Sequence, residues 1–142
     1  MKTFCQAIRT IFCPCSCTSF KLTLTAAQLQ TANSIAVDIP QLAAPGRGYA
    51  WSLVMAELRF FAGSAAFTST SIFLITDTAA IEQMVSGVIL NSGADSFSKF
   101  LSTGSSDTAI VENKKVTIVT NADSATGNGY CTIYGVARRI RV

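Results

Sequence analysis

Four of the five cysteines stand near the N-terminus, at Cys5, Cys13, Cys15 and Cys17, the last three in the alternating run Cys13-Pro14-Cys15-Ser16-Cys17. Thiolates at alternate positions could share a soft metal such as Zn²⁺ or Cu⁺, with Cys5 as a fourth ligand. Zinc knuckles instead space their cysteines as C-x₂₋₄-C and keep the two pairs apart. A thiolate site at Cys5, Cys13, Cys15 and Cys17 therefore ranks behind a plain role as small hydrophobes, and no cofactor is expected. Disulfides between neighbouring chains, or acylation of the thiols, would also suit cysteines so placed. Cys131, alone in an apolar segment, reads as a core residue.

The chain has no histidine. That removes the commonest general base, the commonest metal ligand and every Ser-His or Cys-His nucleophile pair. Carboxylates are sparse, at Asp38, Glu57, Asp77, Glu82, Asp95, Asp107, Glu112 and Asp123, and none has the D-x-D spacing of a calcium loop. Glu57 is distinctive in lying mid-strand, where a salt bridge on Arg59's side of the sheet or to a neighbouring subunit is the simplest reading. Gly46, Gly48, Gly127 and Gly129 are turn residues, because no helix with a Lys-Ser/Thr pair follows them to build a phosphate loop. The residues thus point away from an enzyme.

Cations gather at the ends of the sequence. Lys2 and Arg9 lie near the start, Arg138, Arg139 and Arg141 near the finish, and the net charge is +3. On a strand, Arg139 and Arg141 would share one face and Arg138 the other. A nucleic-acid site would want a basic stripe with interleaved aromatics. Arg138, Arg139 and Arg141 are therefore expected at a protein interface, with no specific nucleic acid as partner.

These groups must be held by elements of unusual texture. Of the 142 residues 49% are apolar and only 13% charged, against about 25% charged in an ordinary domain. Such a composition suits strands whose second face is covered, often by another copy of the chain. Residues 1–20 form a separate arm in which Phe4, Ile8, Ile11 and Phe12 recur at helical spacing until Pro14 ends the pattern. The arm is read as a docking segment that lays this stripe on a partner, in preference to a membrane surface. It lacks the uninterrupted apolar run and cleavage site of a secretory signal.

From residue 21 onward the pattern is that of a β protein. Strands are expected at 21–24, 34–39, 49–61, 67–76, 109–112, 115–120 and 130–142, with 88–90 extended and 95–101 open to either reading. Thr25 should cap one helical turn. A bulge is expected near Ala56 and Glu57, where the alternation shifts. Residues 78–85 could form a helical turn capped by Thr78 or another strand, with a short helix or irregular connection favoured, and 121–129 read as a hairpin loop. Trp51, Phe60, Phe61, Phe67, Phe73, Tyr130 and Tyr134 read chiefly as core rather than as a sugar-stacking platform. The expected fold is all-β: a jelly-roll-like β-sandwich of seven or eight strands over 21–142, preceded by a short helical or extended arm.

Several pieces of this layout carry a resemblance. They are the Thr-Ala-Ala-Gln-Leu turn within 24–29, a strand ending in Pro at 35–40, an Ala-Pro-Gly-x-Gly loop at 44–48, a long hydrophobic strand at 49–61, and a Gly-rich hairpin feeding a Tyr-containing strand at 127–142. In these the chain resembles small jelly-roll virion structural proteins of bacteriophages. The resemblance implies a capsid decoration, vertex, spike or fibre-knob subunit, non-enzymatic and assembled in the host cytoplasm into the virion. Its expected partners are itself, as a trimer before a pentamer, and other virion proteins such as the major capsid protein or a vertex or portal component. The competing function is a carbohydrate-binding or adhesin knob on a fibre, which would need exposed aromatics on one face.

Overall fold

In the computed structural model the described residues are 17–69, 71–76, 79–83, 90–101 and 111–142. They contain eight strands in two four-stranded sheets. The first sheet has the order β1-β8-β3-β6, from β1 (Cys17–Leu24), β3 (Tyr49–Phe61), β6 (Ser96–Leu101) and β8 (Tyr130–Arg141). The second has the order β2-β7-β4-β5, from β2 (Val37–Asp38), β4 (Ile72–Thr76), β5 (Ala79–Gln83) and β7 (Val116–Thr120). The pairs β1/β8, β2/β7, β3/β6 and β4/β5 are all antiparallel and nest one inside the next. One long hairpin rolled over itself has this connectivity, which is the jelly roll expected from the sequence.

The core lies between the sheets. Period-2 alternation sends Phe20 and Leu24 of β1, Leu53, Leu58 and Phe60 of β3, and Cys131 and Ile133 of β8 inward, where they meet Ile72, Leu74, Val116 and Ile118 of the second sheet. Each fully buried Leu, Ile or Phe contributes roughly 1.5–3 kcal/mol by leaving water. Gly135 of β8 leaves room for the Phe20 ring, which packs where a Cβ would otherwise project. A helix, α1 (Ala26–Thr31), closes one end of the sandwich under a complete capping box formed by Thr25 and Gln28. Its Leu29 is buried in the core.

The elements differ from the sequence expectation in instructive places. β1 begins at Cys17, not Lys21, and Phe20 is core, so residues 17–20 belong to the sandwich rather than to the arm. The strand expected over 34–39 shrinks to Val37–Asp38. Its first part finishes the helix instead: Ser34 and Ile35 donate their N–H groups to the Thr31 carbonyl at 3.1 and 2.8 Å. The bulge in β3 falls between Leu53 and Met55, slightly before the expected position. The strand expected from Phe67 begins only at Ile72. Side chains capture the backbone before it: Thr68 and Ser69 donate N–H to Ser124 Oγ at 3.1 and 2.8 Å, and Ser71 donates to Asn121 Oδ1 at 2.9 Å. Residues 79–83, where a helix or irregular connection was favoured over a strand, form β5 against β4, and 95–101 resolves to β6. The loop 121–129 is no hairpin, since it carries the chain from β7 in one sheet to β8 in the other.

Candidate assembly interface

β3 and β8 run antiparallel over almost their whole length, Tyr49 pairing with Arg141 and Phe61 with Tyr130. They define the long axis of the sandwich, about 40 Å for a strand of this length at roughly 3.3 Å per residue. At the end where β3 starts and β8 finishes, Arg47, Arg138, Arg139 and Arg141 are all exposed. Register places Arg138 opposite Ser52 and Cys17 on the outward face, and Arg139 and Arg141 opposite Trp51 and Tyr49 on the other.

The turn into β3 makes this end firm. Gly46 and Gly48 take φ of 99° and 78°, values a side chain disfavours. Their N–H groups donate to Asn113 Oδ1 at 3.1 Å and Glu112 Oε1 at 2.6 Å. Asn113, itself at φ 54°, donates its N–H to the Tyr49 carbonyl at 2.8 Å. Val142 N–H donates to the Gly48 carbonyl at 3.0 Å, tying down the tail beyond the arginines. Above this frame the Arg139 guanidinium stacks 3.7 Å from the centre of the Tyr49 ring, which restricts its rotamers and fixes where its donors point. Beneath it the buried Trp51 indole donates to the Ala43 carbonyl at 2.8 Å.

β1 enters at the same end, because Cys17 pairs with Arg138. Cys17 is buried on the outward face of the first sheet beside Val136, with Val54 and Met55 packed against them. Of the proposed thiolate set only Cys17 is among the described residues; Cys5, Cys13 and Cys15 lie outside them, as do Phe4, Ile8, Ile11 and Phe12 of the arm stripe. Among the described residues no group of three His, Cys, Asp or Glu is placed to hold a metal.

A shallow depression of about 630 Å³ also opens on the outward face of the first sheet, lined by Lys21, Met55, Glu57, Arg59, Tyr134 and Val136 among others. Its one carboxylate, Glu57, accepts from Arg59 Nε at 2.7 Å, the first of the two partners expected for it. Lys21 and Arg59 stand 5.2 and 5.8 Å from the centre of the Tyr134 ring. Neighbouring Phe61 and Tyr130 stack on each other at 4.8 Å. Trp51, Phe60 and Phe67 are buried, whereas Tyr130 and Tyr134, read from the sequence as core, are exposed. The exposed tyrosine rings thus already have cation or aromatic neighbours.

The carboxylates with described side chains all have structural partners. Asp38 pairs with Lys115 at 2.8 Å. Asp95 Oδ1 accepts from Ala62 N–H at 2.8 Å. Asp123 accepts from the Ser34 hydroxyl at 2.5 Å and from the Asn33 and Ser34 N–H groups at 3.1 Å. Its pKa is lowered, chiefly by the Ser34 hydroxyl. Cys131 is sealed in the core, where burial pushes its thiol pKa up to about 12 and leaves it unreactive.

Solved structures with a similar chain path include capsids of phages. A chain of the cyanophage Pam1 capsid asymmetric unit shares 12% identity over 87% of this chain and 83% of its own, with a TM-score of 0.49. One from the capsid of Ralstonia phage GP4 shares 13% identity over 90% and 87%, with a TM-score of 0.48. Another, from the acid-stable capsid of Helicobacter pylori bacteriophage KHP30, shares 12% identity over 89% and 94%, with a TM-score of 0.42. No family model matches the sequence, and no curated protein does.

Sequence reasoning found Arg138, Arg139 and Arg141 but missed Arg47, Tyr49 and the Glu112-Asn113 brace that join them. The Pro45-Gly46-Arg47-Gly48 turn marked a bend without saying what would pack against it. Only the register of β3 with β8 brings Tyr49 to Arg141 and its ring beneath Arg139.

Proposed function

We propose that this chain is a non-enzymatic structural subunit of a phage particle, self-associating and joined to neighbouring virion proteins through one end of its sandwich. The observation that carries the reading is the convergence at that end. Cys17 pairs with Arg138, so the segment bearing Phe4, Ile8, Ile11 and Phe12 joins the fold beside Arg138, Arg139 and Arg141. An apolar stripe and a set of arginines issuing from one firm frame suit attachment: the stripe supplies burial and the arginines bidentate donors for carboxylates. Engagement of the described carboxylates as caps and ion pairs supports a structural rather than a catalytic role. The layout resembling small phage virion proteins supports the particle as its setting.

Immunogold labelling of density-banded particles from the producing culture, with an antibody against residues 17–142, tests this. Label on intact particles is the expected result. Label confined to the particle-free fraction would overturn it.

A further inference from the structure

Among the described residues the charges at the two ends of the sandwich differ in sign. One end exposes Arg47, Arg138, Arg139 and Arg141, and the carboxylate of its Glu112 is engaged by the Gly48 N–H at 2.6 Å. The other end is built from residues 25–35, 61–69, 90–96 and 120–130, which contain no Lys or Arg and carry Asp95 and Asp123. Each end also exposes an aliphatic residue: Val142, 56% exposed, beside the arginines, and Ile35, 66% exposed, next to the Ser34–Asp123 hydrogen bond.

The two ends cannot satisfy each other within one molecule. They stand about 40 Å apart along β3 at roughly 3.3 Å per residue, whereas attraction across solvent fades beyond about 8 Å at physiological salt. Contact between molecules brings them together. A nucleic-acid partner is the weaker fit: Arg138 projects from one face of the sheet and Arg139 and Arg141 from the other, and the Tyr49 ring carries the Arg139 guanidinium rather than lying open to a base.

We infer that copies of this chain associate head to tail, the arginine end of one sandwich seated on the Ile35–Asp123 end of the next. This rests on the assembly reading and specifies its self-contact as heterologous, the kind that closes rings or extends filaments. Val142 meets Ile35, and Arg139 and Arg141 meet Asp123 and Asp95. The capping bonds of Asp123 leave it ionised and fixed in place, so the arginines find a pre-set target.

The test is sedimentation velocity of the full chain across a concentration series, at about 0.1 M and about 1 M NaCl, between which the screening length falls from roughly 10 Å to 3 Å. Association should weaken about tenfold or more at the higher salt. Arg139→Glu with Arg141→Glu should weaken it similarly at low salt, as should Ile35→Lys with Ala125→Lys at the opposite end. All four changes in one chain should restore part of it, because the two introduced glutamates then face the two introduced lysines. Salt-insensitive association, indifference to the lysine pair, or failure of the four-fold variant to recover would overturn the inference, and circular dichroism would show that each variant is folded. A monomer at every concentration would overturn it too, as would arginine variants that keep associating but lose affinity for a duplex DNA fragment. Particle labelling judges the assembly reading separately, so labelled particles with a salt-insensitive oligomer would remove only the head-to-tail contact.

Discussion

Replacing Gly135 with alanine should destabilise the sandwich through a single identifiable clash. A Cβ there would lie 2.6 Å from Phe20 Cε1 and 2.8 Å from the Met55 carbonyl oxygen, well inside the ~3.5–4.0 Å of ordinary carbon contacts. The carbonyl belongs to the β3–β8 ladder, where Met55 faces Val136 and Ala56 faces Gly135, so it cannot retreat without parting the strands. The Phe20 ring can turn, but only into a core that is already filled. Overpacking of this kind costs about 1–3 kcal/mol, a sizeable part of the ~5–15 kcal/mol that holds a domain together. Phe20→Leu should cost roughly 1–2 kcal/mol by itself, through lost burial and a small cavity. It also vacates space for the new methyl group. The double variant should therefore be more stable than the sum of the two single losses by about 1 kcal/mol. Urea unfolding followed through Trp51, the sole tryptophan, reads all four stabilities. Strict additivity, or a Gly135→Ala variant as stable as the parent, would refute the packing argument and with it the placement of Phe20 in the sandwich core.

Ser124→Ala should cost about 1–3 kcal/mol in the same assay, because the Thr68 and Ser69 N–H groups lose their shared acceptor. Asp123 has a folded pKa below the ordinary 3.8, so its contribution is fully present above that value and is lost as pH falls through the folded pKa. Thermal stability should decline on acidification below about pH 4, and Asp123→Asn should flatten that decline; an unchanged acid profile in the variant would contradict the assignment. Cys131, its pKa raised to about 12, should resist maleimide at neutral pH until the chain unfolds. Peptide mapping by mass spectrometry distinguishes it from the other cysteines, and labelling of Cys131 in the folded chain would show that the core is open there.

Local chemistry alone determined a good part of this protein. Alternation and length marked β3 at its observed bounds, Thr25 announced the helix start, and the missing histidine removed whole classes of catalysis. Period-2 patterning even assigned Ile72 and Leu74 to the face opposite Phe73 and Ile75, because successive strand residues must point to opposite sides. The sequence was silent where distant segments compete for the same backbone groups. The segment from Phe67 has strand composition, yet Ser124 takes the N–H groups of Thr68 and Ser69 and Asn121 takes that of Ser71. Ser34 and Ile35 look extended, yet Thr31 and Asp123 hold their backbone in the turn that ends the helix. β5 was the less favoured of two readings because a short strand is stabilised by its ladder with β4 rather than by its own composition. The start of the fold was misplaced for the same reason: the cysteine-rich composition continues through Cys17, but the partner that makes it a strand lies in β8. The attachment end itself exists only in three dimensions. Arg47, Tyr49, Glu112 and Arg139 are scattered along the chain, and the antiparallel register of β3 with β8 is what gathers them beside the entry of the N-terminal segment.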